Sequence, residues 1–277
     1  MTEPRSPASF YDRARSTTAR AASFGASYAA GAAAAVYLLT LGVRRRPDRA
    51  MLRRMAEHVG TLRPPSTRLP IVSLRELAPG DTCVALPEPE GVDGNVTLLE
   101  LLCLARLART AAAHAIFEIG TFDGRTTLTL AVNAPSAVVH TLDLPPDVDT
   151  AMRIETSERA FVDKPASGAR FLGRPEAARI RQHFGDSAAF DYTALHGTID
   201  VAFVDGSHAY EYVLSDSRHA LALLRPTGGV LAWHDYGVWP GVTRALEELA
   251  REPTFAGMRH VAGTTLAVLD TRARSVS

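Results

Sequence analysis

The residues best placed to do chemistry close a series of short apolar runs. Ile116-Phe117-Glu118-Ile119 leads into Gly120-Thr121-Phe122-Asp123-Gly124, and Val138-Val139-His140-Thr141-Leu142 ends on Asp143. Gly185-Asp186-Ser187 follows a third run, Asp205-Gly206-Ser207-His208 follows Val201-Ala202-Phe203-Val204, and His234-Asp235 follows Val230-Leu231-Ala232-Trp233. Carboxylates accept hydrogen bonds from hydroxyls and amines and hold hard cations, while imidazoles take protons or bind metals. An acid at the end of a second strand, as Asp143 is, can accept hydrogen bonds from both ribose hydroxyls of a nucleoside.

Helical patterns separate these runs, and that alternation is what must position the acids. Strands that end on Asp or Glu, alternating with helices, make a parallel sheet with polar groups gathered along its carboxyl edge, where such folds bind ligands. Gly120 and Gly124 lack a Cβ, so backbone can approach a bound molecule closely. The helix beginning near Thr127 turns free N–H groups toward the same space. The spacing is Gly120-x-x-x-Gly124, not G-x-G-x-x-G, so a pyrophosphate has no dedicated cradle.

The form Glu118-x-Gly120-x-x-x-Gly124 resembles the first motif of class I S-adenosylmethionine-dependent methyltransferases. Val204-Asp205-Gly206-Ser207-His208-Ala209-Tyr210 and Trp233-His234-Asp235-Tyr236 are more specific. They resemble the O-methyltransferase branch that holds the macrolide-sugar enzymes and the proteins once described as cephalosporin hydroxylases. The likeness runs from about Asn95 to Asp270. It implies a Rossmann-like α/β fold: a seven-stranded, mostly parallel sheet with a terminal antiparallel strand and helices on both faces. It also implies S-adenosylmethionine as cofactor, with Glu118, Gly120, Thr121, Gly124, Asp143, Leu144, Asp186, Ser187 and Asp205 around it, Asp186 and Ser187 near the adenine. In the sugar-methylating enzymes the matching positions make Asp205, His234 and Asp235 ligands of a divalent ion and His208 the base. Asp205 and His208 are therefore the expected catalytic pair. Two carboxylates with water and substrate oxygens suit magnesium. His234 stands where a strict magnesium site has an acid, and a nitrogen ligand favours manganese, iron or zinc. A hydrogen-bonded structural role for His234 stays open. A histidine base would titrate near its ordinary value of about 6.5.

The expected reaction is transfer of a methyl group to a hydroxyl of a small molecule, a sugar or secondary metabolite, assisted by magnesium or manganese. Two alternatives are a nicotinamide-dependent oxidoreductase, which needs the missing phosphate-binding glycine pattern, and a catalytically inactive interaction module on the same fold.

Composition limits the rest. At 277 residues with 46% apolar and 22% charged content, the chain can hold one large α/β domain and an appendage. A net charge of zero gives no sign of a nucleic-acid partner. Cys83 and Cys103 are too few for a disulfide framework, which points to a reduced, cytoplasmic compartment.

Three segments are expected. Residues 1–46 form an N-terminal extension, with Met1 to about Arg20 mobile and Ala21 to Val43 uncharged. That stretch is long enough to span a bilayer but dominated by alanine and glycine. It is compatible with an apolar helix packing on the protein or on a partner such as a second copy, with membrane association, or with disorder. Residues 47–94 form a helical cap, Asp48 to about Leu62, and a proline-rich connector. Residues 95–277 form the methyltransferase domain, with Asn95 capping a helix from Val96 to Arg109 and a hairpin closing the chain through Gly263. Residues 145–175 interrupt the alternation with charges and read as a lid over the cofactor or a solvated helix.

Overall fold

The computed structural model describes residues 17–45, 48–49, 51–52, 67–146, 148–153, 158–164 and 166–272. The expected basic helix after Asp48 lies largely outside them. Two compact units divide at Leu52. In the first, helix α1 runs Thr17–Thr40, so residues 17–20 are helical rather than part of a mobile arm. Tyr37 donates to Asp48 Oδ2 at 3.2 Å within this unit. No helix among the described residues is long and apolar enough to cross a membrane.

The second unit is built on one eight-stranded sheet. Its strands are β1 (Ile71–Val72), β2 (Ala115–Ile119), β3 (Val138–Asp143), β4 (Ile180–Phe184), β5 (Val201–Val204), β6 (Val230–Trp233), β7 (Arg259–Val261) and β8 (Ala267–Asp270). They lie in the order β1-β7-β8-β6-β5-β2-β3-β4. Only β8 runs antiparallel to its neighbours, β6 and β7. The eighth strand, beyond the seven expected, comes from the connector. Ile71 and Val72 pair with His260 and Val261 at the sheet edge, a pairing too short to leave a periodic signal.

β5 and β6 are buried along their whole length, as parallel strands covered on both faces must be. Side-chain alternation divides them between two cores. Ile116, Val201, Phe203, Val230 and Ala232 pack with Leu101, Leu104 and Leu128; Phe117, Ala202, Val204, Leu231 and Trp233 pack with Val213, Leu246 and Leu249. The helices on the two faces are thus α3 (Leu98–Thr110) and α4 (Arg125–Asn133) on one side, α6 (Tyr210–Leu223) and α7 (Pro240–Leu249) on the other. Two short helices complete the unit, α2 (Leu74–Leu77) and α5 (Arg159–Val162).

Thr97, not Asn95, caps α3. Its hydroxyl accepts from Glu100 N while the Glu100 side chain accepts from Thr97 N, a capping box. Asn95 instead closes a local turn on Val92 N and donates to Asp123 Oδ1 at 3.0 Å. The connector is tied down by the buried Arg125, whose guanidinium donates to the carbonyls of Glu88, Pro89 and Val96.

Candidate active site

The strand register decides which side chains meet. Ile119 is level with Val204, and Val204 with Trp233, so Gly120, Asp205 and His234 emerge together at the carboxyl edge. Gly120 has φ +101°, and a Cβ there would lie 2.0 Å from the Asp205 carbonyl oxygen. The room that glycine makes at this turn is therefore filled by the chain itself, although Gly120 still lines the cavity above it. Gly124 makes room for the Phe171 ring, 2.6 Å from where its Cβ would lie. It stands outside the cavity wall, as do Glu118 and Thr121.

That cavity spans about 890 Å³ with its open mouth included. Leu144, Asp143 and Gly120 line it with Asp186 and Ser187, and Asp205, His208 and Asp235 continue the wall. Phe122 and Asp235 also line it with left-handed backbone, φ +48° and +66°. Neither is glycine, and such conformations collect where surrounding structure holds a functional side chain in place.

Asp143 lies at the head of the expected cofactor half. Its Oδ1 accepts from Phe122 N at 3.3 Å, and Lys164 Nζ sits 2.7 Å from Oδ2. Asp186 accepts from the backbone of Ala151 and Ala188 and from the Tyr212 hydroxyl at 2.9 Å. Glu118 is fully buried beneath the edge, with Oε2 accepting from Thr127 and, at 2.7 Å, from Thr141. Burial is the main cause that lifts its carboxyl to about 8. The two threonine hydrogen bonds oppose the shift, and the Asp205 and Asp143 charges add to it.

At the other half, His208, His234 and four acids form one network. His208 Nε2 is 2.6 Å from Asp235 Oδ2, and its Nδ1 is 2.7 Å from Glu158 Oε1. Glu158 also accepts from His208 N and, at 3.0 Å, from the Ser207 hydroxyl. Trp239 stacks on the His208 ring, with centroids 4.2 Å apart and planes at 3°. Burial works against the charged ring, but Asp235 and Glu158 outweigh it and raise His208 to about 9. The expectation of an ordinary histidine value does not hold in this state. A ring clamped between two carboxylates stays protonated at neutral pH.

His234 is buried. Its Nδ1 lies 3.0 Å from Asp205 Oδ1 and 3.3 Å from Asp235 Oδ2, and its Nε2 lies 3.2 Å from Glu100 Oε2. Burial opposes its charge, yet Asp235, Asp205 and Glu100 together hold it well above the usual histidine range. Asp205, His234 and Asp235 each offer a donor atom within 4.8 Å of the others. Their donor set, two carboxylate oxygens and one imidazole nitrogen, fits a divalent ion. The fold thus brings Asp205, His208, His234 and Asp235 together in this half.

Four contributors had no legible spacing. Glu158 and Lys164 lie in the charged insert beside five other ionisable side chains from Arg153 to Arg170. Trp239 follows the last motif by three residues. Glu100 did carry a signal, Thr97-x-x-Glu100, but that pattern reads as a helix start rather than a site.

Residues 117–236 match the family described as a methyltransferase domain. The match spans β2 to the turn after β6, the stretch that carries every expected site residue, and marks that stretch as similar to a methyltransferase domain. No protein of curated function matches the chain. Solved structures similar to it include cofactor-bound Rv0187 from MTB, at 19% identity over 82% of this chain and 98% of that one, TM-score 0.47. Another is the O-methyltransferase TomG from Streptomyces achromogenes in complex with SAM, at 23% identity over 64% and 82%, TM-score 0.45. A third is SAH-bound PaMTH1 from Podospora anserina, at 16% identity over 64% and 79%, TM-score 0.47. These are likenesses of fold.

Proposed function

We propose that the chain is an S-adenosylmethionine-dependent O-methyltransferase acting on a hydroxyl of a small molecule, a sugar or secondary metabolite, with a divalent ion at Asp205, His234 and Asp235. The observation that carries this reading is one continuous cavity, with Gly120, Asp143, Asp186 and Ser187 on one side and Asp205, His208 and Asp235 on the other. A nucleoside and a hydroxyl acceptor can then share a wall, as direct displacement at a methyl carbon requires.

Asp143 holds the ribose diol, and Ser187 with Asp186 borders the adenine. When bound, the cofactor would supply an electrophilic methyl group, and Asp205, His234 and Asp235 would hold an ion that lowers the pKa of the acceptor hydroxyl. His208 takes the released proton. In its neutral form the ring keeps a proton on Nδ1 toward Glu158 and offers Nε2, the nitrogen on the Asp235 side. Glu158 holds the ring edge-on and Trp239 covers its face, so the imidazole has one orientation. Phe122, Phe161 and Val162 give the cavity an apolar stretch of wall.

Isothermal titration with S-adenosylmethionine and with NAD tests the cofactor. Binding of NAD without S-adenosylmethionine rejects the proposal. Once an acceptor is found, a chelator should abolish turnover and leave cofactor binding intact, and full activity in chelator would remove the metal. Loss of His208 should slow transfer by roughly 10²–10⁴ fold, the usual contribution of a general base.

A further inference from the structure

Glu100 lies on α3, more than a hundred residues from Asp205 and Asp235, yet it is buried against His234. Each of its oxygens takes hydrogen bonds from a backbone N–H that can only donate. Oε1 accepts from Thr265 N at 2.7 Å and also contacts the Thr265 hydroxyl, while Oε2 accepts from Thr97 N at 2.7 Å and contacts the Thr97 hydroxyl. A carboxyl group converged on by such donors is ionised, because a proton on either oxygen would meet an N–H. The third partner of Oε2, His234 Nε2, must then donate as well. The proton of a neutral His234 ring is thus pinned on Nε2, and the Nδ1 lone pair is turned toward Asp205 and Asp235.

We propose that Glu100 is a positioning residue that fixes the tautomer and plane of His234, so that Nδ1 completes a site for a divalent transition cation with Asp205 and Asp235. This rests on the metal half of the function proposed above. Carboxylates behind metal-ligating histidines act this way generally: they raise the basicity of the ligand nitrogen and hold its direction. The arrangement also meets a charge requirement. With Glu100 ionised and the ring neutral, the buried group keeps three negative charges for a cation to offset, although one of its three ligands is uncharged.

The test uses the full-length protein and Mn²⁺ or Zn²⁺ alone. Titration calorimetry with Mn²⁺ on wild type, Glu100→Gln and Ser73→Ala compares loss of the positioning contact with loss of a helix cap that does not touch Glu100. Removing an outer carboxylate typically costs 10–100-fold in metal affinity, and that drop is expected for Glu100→Gln. Ser73→Ala should melt at a lower temperature with its Mn²⁺ affinity nearly intact. Unchanged Mn²⁺ affinity in Glu100→Gln, while His234→Ala loses it, would overturn the positioning role and leave the metal reading standing. Wild type that binds neither ion would overturn both. A second measurement needs no variant at residue 100. In Zn²⁺-loaded wild type labelled with ¹⁵N-histidine, one ring should bind zinc through Nδ1 and retain a slowly exchanging Nε2 proton. Ligation through Nε2, or by no histidine, overturns the proposal.

Discussion

Asp143 and Glu118 lie on adjacent strands, and both belong to the expected cofactor set, but they do different work. Asp143 reaches the cavity, so Asp143→Ala should weaken S-adenosylmethionine binding by about 2–3 kcal/mol, the worth of a charge-assisted pair of hydrogen bonds. Calorimetry checks this, and unchanged affinity would remove Asp143 from the ribose. Glu118 instead keeps a proton inside the fold. Its carboxyl stays protonated to about 8 in the native state, against an ordinary 4.5. Between those values the native state binds a proton that the unfolded chain has lost, so this group's contribution to stability falls as pH rises from about 4.5 to 8. Glu118→Gln removes the titration and should flatten that decline in melting temperature. An equally steep decline would show that the native carboxyl is already ionised.

These two residues mark what was legible at this scale. Any acid closing an apolar run is recognisable from the sequence. Whether it points into a cavity or under a strand depends on side-chain alternation and on neighbours such as Thr127 and Thr141, which only the packed sheet supplies. Glu100 was hidden for a related reason: its contact with His234 spans 134 residues of sequence, and no local pattern encodes such a distance.

Among the elements, the strap from Glu158 to Lys164 was the least legible. Its charges read as a lid or, more readily, as a solvated helix, because burial of a charge depends on a partner elsewhere. In the fold its two ends are pinned in the cavity, Glu158 on His208 and Lys164 on Asp143, while Phe161 packs edge-on against Phe122 with centroids 6.0 Å apart. Lys164 thus covers the carboxylate that the ribose hydroxyls would use. Lys164→Met should tighten S-adenosylmethionine binding, by about tenfold if one ionic hydrogen bond no longer competes, and should lessen the dependence of affinity on salt. Weaker binding in this variant would mean that Lys164 stays beside Asp143 in the complex and supports it. The strands, by contrast, were readable almost to the residue. Buried parallel strands are continuous apolar runs, and β5 stops directly before Asp205 and β6 directly before His234-Asp235. The two-residue strand β1 and the true cap of α3 were not, since both depend on pairings with distant or competing partners.

For the whole molecule, three segments are expected from the sequence, with boundaries near residues 46 and 94, and the fold has two compact units that divide at Leu52. All cavity residues lie in the second unit. A chain lacking residues 1–52 should therefore fold cooperatively and bind S-adenosylmethionine with nearly the wild-type affinity. Thermal melting with calorimetry checks this, and an unfolded or non-binding product would show that α1 covers core surface.

The contact of Gly120 with the Asp205 carbonyl has a consequence for how this protein can vary. One atom's worth of space holds the turn after β2 against the turn after β5. Any side chain at position 120 must push Asp205 away and so disturb the ribose end and the acidic end together. Variation that retunes the acceptor is free to work through the strap and the connector, where changes stay local. At position 120 there is no neighbouring sequence to drift into, and a saturated library selected for activity should return the parental residue alone.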